Sequence, residues 1–228
     1  MTELVSYRLD GGVATVALDD GKANVMSENM ICDIAAALDR AEADRAVVLL
    51  TGRSRMFSAG YDLATFSQSP DDIRRTLRAG GDLIHRLLGF PFPVVAACPG
   101  HAIAQGAFTL LATDVRFGVA GDFKLGLNEV AIGLTIPHYG VEVARHRLTG
   151  PGFDRAANTG ILVGPEVARE WGFLDVLVAD AEELHARATA EAHRLTGIDM
   201  AAHAATKLRV RAQVLAAVRS GIDAEFGA

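Results

Sequence analysis

PVVAACPGHAIAQGAF, residues 93–108, runs from an apolar stretch bounded by prolines, through small residues, into a second apolar stretch. The first part reads as a buried strand and the last as a short apolar helix, with a loop between them. Toward the N-terminus, AVVLL (46–50) reads as another buried strand. It is followed by TGRSRMFSAGYDL (51–63), again rich in small residues, and then by a helix over about residues 71–88 marked by Ile73, Leu77, Ile84 and Leu88. Farther back, VSYRL (5–9) and VATVAL (13–18) flank the turn DGG and alternate as paired strands do, since Asp-Gly favours a hairpin. Ser27 is placed to cap a helix carrying Met30, Ile31, Ile34 and Leu38. Toward the C-terminus, DVRFGVA (114–120) reads as a strand, and beyond Pro137 the chain is mostly helical. Pro165 suits the first turn of a helix, and AATKLRVRAQVLAAVRSGI (204–222) reads as one long amphipathic helix. The fold class expected is therefore α/β, a repetition of strand, loop and helix ending in a helical region.

Composition narrows the function classes. The chain has 228 residues, half of them hydrophobic and 22% charged, which suits one substantial core. A net charge of -6 argues against nucleic acid as a partner, because phosphate binding needs a surplus of Lys and Arg. No apolar run approaches the roughly 18 residues of a membrane span, and the start MTELVSYRLDGG has no basic region leading into an apolar stretch. A soluble, cytoplasmic protein is expected. Cys32 and Cys98 lack metal-ligand spacing and are expected to be reduced core thiols. The His residues are scattered, so no metal is assigned.

The two loops share a property: each places small residues directly after a buried strand and before a helix. Small residues let a ligand approach the backbone, and free N–H groups at a helix start stabilise negative charge. One N–H from each loop would make an oxyanion hole. The same glycines also serve tight strand-to-helix turns, and spacing alone leaves both readings open. Glu129 stands in LGLNEVAIGLTIPHYG (125–140), a lone acid among aliphatic residues, glycines and a proline. On residue type alone it could equally cap or pair at a helix start.

FSAGYDL (57–63), PVVAACPGHAIAQGAF (93–108) and LNEVAIGLTIP (127–137), in this order and at these separations, resemble the crotonase superfamily of enoyl-CoA hydratases and isomerases. ANVMS (23–27) and AREWGFLDVLV (168–178) extend the resemblance, which covers about residues 5–210. It implies a crotonase-like spiral of strand-strand-helix repeats over residues 1–195, with a C-terminal helical segment at 196–228 that is shorter than in many relatives. It further implies an acyl-CoA thioester as substrate, no cofactor beyond the coenzyme A of that substrate, and a homo-trimer or homo-hexamer. With the chain stopping at GIDAEFGA, the adenine end of the site is expected to be more open.

Carried over by position, the resemblance gives the two oxyanion N–H groups to Tyr61 and Gln105. The family usually has glycine where this chain has Gln105, so its Cβ is expected to crowd the thioester or tilt the loop, and Gln105→Gly to restore the usual arrangement. The backbones of Ala59, Asp62 and Leu63, with Lys22, Ala23 and Val25, correspond to the surface that holds adenine and pantetheine. Phe66, Phe108, Leu110 and Ile136 are expected to shape the acyl tunnel, and His138 or Tyr139 to line the acyl pocket. The hydratases of this superfamily use two glutamates to position and activate water. Here Phe108 occupies the first of those positions and Glu129 the second. A single carboxylate suits allylic isomerisation, in which a proton leaves C2 of a 3-enoyl thioester and returns at C4. The alternatives are a hydratase using Glu129 alone and a non-catalytic acyl-CoA carrier or sensor.

Overall fold

In the computed structural model, which describes residues 4–227, the chain opens with the hairpin of β1 (Val5–Asp10) and β2 (Val13–Leu18). Asp10 pairs with Val13 across a Gly11-Gly12 turn in which both residues have positive φ. A six-stranded sheet grows from it in the order β1, β2, β3 (Val47–Thr51), β5 (Val94–Cys98), β7 (Val115–Val119) and β10 (Val176–Val178). From β2 onward, neighbours are parallel. Helices cover both faces, and the strands are correspondingly apolar on both. Val48 and Leu50 of β3 point into the larger core, while Val47 and Leu49 point into a second core beneath α7 (Ala181–Leu195).

A smaller sheet is built from the loop regions. It contains β4 (Arg55–Ser58), β6 (Gly100–Ile103), β8 (Leu125–Gly126) and β9 (Leu162–Val163), in that order. Thus β3 continues into β4, β5 into β6 and β7 into β8, each chain segment passing from the large sheet to the small one. The first two of these turns then enter α2 (Pro70–Gly89) and α3 (Gln105–Leu111). This is the strand-strand-helix spiral. The residues expected to be pure loop, 51–63 and 100–104, therefore include short strands, invisible to periodicity because they are only four residues long.

The first helix, α1 (Glu28–Ala43), is capped by Ser27, whose hydroxyl accepts from the Met30 N–H at 3.2 Å. Beyond β8 come α4 (His138–Arg147), α5 (Gly150–Thr159) and α6 (Pro165–Trp171), the last with Pro165 in its first turn. The long C-terminal helix expected over 204–222 is instead two helices, α8 (Met200–Val210) and α9 (Ala212–Phe226), broken at Arg211. Tertiary electrostatics explain the break. The buried Arg211 guanidinium donates to Leu88 O at 2.9 Å and pairs with Asp114 at 2.7 Å, while Lys207 meets the other Asp114 oxygen at 2.7 Å. That second oxygen also accepts from the Val94 N–H. Asp114 therefore ties the C-terminal helices to the start of β5. The break lets α9 pack against α2 and α4.

Cys98 is buried, its thiol donating to Gly100 O, and burial pushes its pKa up to about 12. Cys32 corrects the expectation of two core thiols: it lies on the exposed side of α1. Among the described residues, no helix is long and apolar enough to cross a membrane, and no His, Cys, Asp and Glu cluster has metal-binding geometry.

Candidate active site

The segment after β2 and the segment after β4 are stitched together through their backbones. Ala59 N–H donates to Ala23 O at 3.0 Å and Met26 N–H to Gly60 O at 2.8 Å. Asn24 makes this possible. It is fully buried with φ +49°, a backbone region that Asn tolerates better than most residues, and its amide donates to Leu18 O at 3.0 Å and Phe57 O at 3.1 Å. Ser58 adds a clasp, donating to Asn24 O and accepting from Gly60 N–H. Ala23, Val25 and Ala59 are thereby gathered at one edge, with Asp62 capping the 3₁₀ turn Leu63–Ser67 through the Ala64 N–H. Lys22 is exposed on this edge and offers its carbonyl to Arg53.

The second loop meets the first at Gly60. Its φ is +90°, and a Cβ built there would come within 2.8 Å of Ala104 Cβ and 3.4 Å of Gln105 N. Only glycine permits this approach, which places the Tyr61 and Gln105 N–H groups on adjoining backbones. Among the described residues neither N–H has a protein acceptor. Beyond the Cβ, for which crowding was expected, the Gln105 side chain is engaged with α2 and α4. It is buried beside α2 and α4, its amide donating to Gly80 O at 3.1 Å and its oxygen accepting from Tyr139 Oη at 3.0 Å.

Glu129 lies just beyond β8. Its carbonyl accepts from the Ile132 and Leu134 N–H groups, which folds the chain into a tight turn and leaves the side chain free. The side chain makes no capping bond, and no Lys or Arg among the described residues pairs with it. Only 6% of the residue is exposed, and Oε2 is buried without a partner. Burial pushes its pKa up to about 7. The capping or pairing role that residue type allowed is therefore not the one adopted.

Glu129 and Tyr61 line a cavity of about 440 Å³ whose other walls include Phe66, Ile73, Leu77, Phe108, Leu134 and Phe226. A smaller adjoining cavity of about 140 Å³ shares Tyr61, Phe66, Glu129 and Leu134 and reaches Ala59, Leu63 and Ala104. The arrangement offers an apolar chamber, one buried acid and a polar backbone edge. Three expected members lie elsewhere. Leu110 is buried in the larger core. Ile136 faces a separate cavity with Phe153 and Ala157. The His138 side chain is 66% exposed, with its ring 3.8 Å from Glu225, and does not line the chamber.

Glu225 and Phe226 belong to the site region without having been singled out for it. Glu225 is a second carboxylate on the chamber wall, but one oxygen accepts from the His138 N–H at 2.9 Å, capping the start of α4. No local pattern could place the last turn of α9 there. Of His138 and Tyr139, it is Tyr139 that turns inward, fully buried against Phe108 with its hydroxyl 2.7 Å from that of Tyr61.

A family model described as enoyl-CoA hydratase/isomerase matches residues 8–227. The structure is similar to that of an enoyl-CoA hydratase/isomerase family protein from Pseudomonas syringae, with a TM-score of 0.95 and 46% identity, covering 98% of this chain and 96% of that one. A protein from Mycobacterium tuberculosis, called an enoyl-CoA isomerase in one solved structure and a probable enoyl-CoA hydratase in another, is similar at TM-scores of 0.93 and 0.94 and identities of 40% and 41%, covering 98% of this chain and 97% and 96% of that one. By sequence, a probable enoyl-CoA hydratase from Bacillus subtilis is 31% identical over 134 residues, 57% of this chain, and the match spans about half (52%) of that protein's length. The match over nearly the whole chain, on a fold that joins two small-residue loops and one buried acid around a single chamber, makes this protein an enzyme of the enoyl-CoA hydratase/isomerase family.

Proposed function

We propose that the enzyme moves a double bond in an acyl-CoA thioester, converting 3-enoyl-CoA to 2-enoyl-CoA. The observation that carries this reading is Glu129, a buried acid with one unpartnered oxygen in an apolar chamber, faced by Phe108 where a two-acid relative would have its other glutamate. The thioester oxygen lies against the Tyr61 and Gln105 N–H groups, and the edge formed by Lys22, Ala23, Val25, Ala59, Asp62 and Leu63 holds the coenzyme A portion. The Glu129 carboxylate takes a proton from C2. The electron pair spreads over C2, C3 and C4 and onto the thioester oxygen, where the two N–H groups stabilise it. The now neutral Glu129 returns the proton to C4, leaving a double bond between C2 and C3. Water is neither consumed nor released. A pKa of about 7 suits both steps, because base and acid forms are close in energy at neutral pH.

Relatives named as hydratase and as isomerase both resemble this chain, so the products decide. The pure protein is incubated separately with 3-enoyl-CoA and 2-enoyl-CoA in heavy-oxygen water; chromatography and the absorbance of the conjugated enoyl thioester give the double-bond position, and mass gives the uptake of labelled water. Unlabelled 2-enoyl-CoA from the first substrate supports isomerisation. Labelled 3-hydroxyacyl-CoA would favour the hydratase alternative, with Glu225 the first residue to test as a second acid. Binding without turnover of either would favour the carrier. The reading includes a homo-trimer or homo-hexamer, which light scattering on the purified protein tests.

A further inference from the structure

We infer that Tyr139 is a positioning residue for the carbonyl-binding pair: through Tyr61 and Gln105 its hydroxyl holds the two backbone N–H groups at a fixed separation. The inference rests on the reading above that these N–H groups receive the thioester oxygen. The Tyr139 hydroxyl donates to Gln105 Oε1 at 3.0 Å and lies 2.7 Å from the Tyr61 hydroxyl. With its proton on Gln105, it accepts from Tyr61. Gln105 is anchored at its other end by Gly80 O, and the Tyr61 hydroxyl lies 3.5 Å from Leu77 O. One hydroxyl thus bridges the side chains of the two residues whose backbones form the pair, and Gln105 moors the bridge to α2.

Three observations argue that the bridge acts on the loops. Tyr139 and Gln105 are both fully buried, so water cannot substitute for a lost hydrogen bond without entering the core. Gly80 is shaped around the bridge: a Cβ there would lie 1.8 Å from Tyr61 Oη and 3.0 Å from Gln105 Nε2. Finally, Ala104, directly before Gln105, has φ +52° and ψ −122°, a region that disfavours any residue with a Cβ. Such a conformation persists only where its surroundings over-determine it. The Gln105 side chain supplies that constraint from the next residue. On this account Gln105 compensates for an alanine in a conformation that glycine adopts more readily, so Gln105→Gly lowers activity instead of restoring it.

The test uses Tyr139→Phe, which keeps the ring packed against Phe108 and Phe226 and removes only the hydroxyl. Expected is a fall in kcat of roughly 10- to 100-fold, as reacting geometry loosens, with KM changed by less than about three-fold. A second readout does not depend on turnover: the absorbance of a bound conjugated 2,4-dienoyl-CoA, which moves to longer wavelength when its carbonyl is polarised. Tyr139→Phe should bind this probe with little loss of affinity and show a smaller shift. Gln105→Met, similar in length but unable to hydrogen-bond, should reproduce the reduced shift, and the double variant should lose no more than either single one. This second variant keeps the inference testable if Tyr139→Phe does not fold. Unchanged shift and kcat in a folded single variant, or fully additive losses in the double, would overturn the positioning role alone. Absence of any shift in the parent protein would overturn the carbonyl site, and the inference with it.

Discussion

Phe108 of α3 and Glu129 beyond β8 line the same chamber, so the buried acid shares its cavity with a phenyl ring. That ring meets Tyr139 edge-on, 6.1 Å between centroids, and a Cβ on Gly140 would come within 2.6 Å of it. Phe108→Glu tests what the ring excludes. The smaller, polar side chain opens room for water beside Glu129. Desolvation and repulsion between the two carboxyls should raise at least one pKa and lower stability. Expected are a lower melting temperature, weaker isomerisation and new hydration of 2-enoyl-CoA, followed by product mass. A parent that already hydrates efficiently, with the variant unchanged, would overturn the argument from a single carboxylate and favour the hydratase alternative.

Glu129→Gln keeps the shape and removes the proton carrier. Turnover should fall by on the order of 10²–10⁴, the usual worth of a positioned acid-base group, while acyl-CoA binding persists. Steady-state kinetics beside a titration of coenzyme A thioester binding separates the two. An unaffected kcat would remove Glu129 from the chemistry.

The same residue sets a pH dependence. Burial raises its folded-state pKa from 4.5 to about 7, so the protonated form is the one the fold prefers. Its contribution to stability is fully present below about 4.5 and is lost as the pH rises through about 7, a change of about 3 kcal/mol. Activity moves the opposite way, with kcat/KM rising through pH 7 as the carboxylate base forms. Glu129→Gln should therefore be more stable than the parent at pH 8 and similar to it at pH 4.5 in denaturant unfolding. Equal stability at both pH values would contradict the buried-acid account.

Asp114→Asn probes the anchor of the C-terminal helices. Burial alone would push this carboxyl up, but Lys207, Arg211 and its hydrogen bonds hold it below the usual range. Removing its charge leaves two buried cations facing a neutral amide, which costs roughly 3–5 kcal/mol. Because the depressed pKa contributes stability that is lost as pH falls through it, the parent's own stability should decline below about pH 4 and the variant's should decline less. Urea unfolding at about pH 3 and at pH 7 measures both.

The opening hairpin, α1 with its Ser27 cap, the buried strands β3 and β5, and α2 were all legible because each is written in local periodicity and turn chemistry. So were the three motifs whose order marks the family, and with them Tyr61, Gln105, Phe108 and Glu129. The small sheet was not legible, since strands of two to four residues exist only through pairing with distant partners. Nor was the break at Arg211, where a buried ion pair with Asp114 outweighs an uninterrupted helical pattern. The destinations of Gln105, Ile136 and His138 belong with these. A sequence specifies which groups a segment carries and which face it buries, but the direction of a side chain depends on what packs against it from elsewhere. Here α2, α4 and α9 made that decision: Gly80 and Tyr139 draw Gln105 out of the chamber, and the last turn of α9 brings Glu225 and Phe226 to its wall.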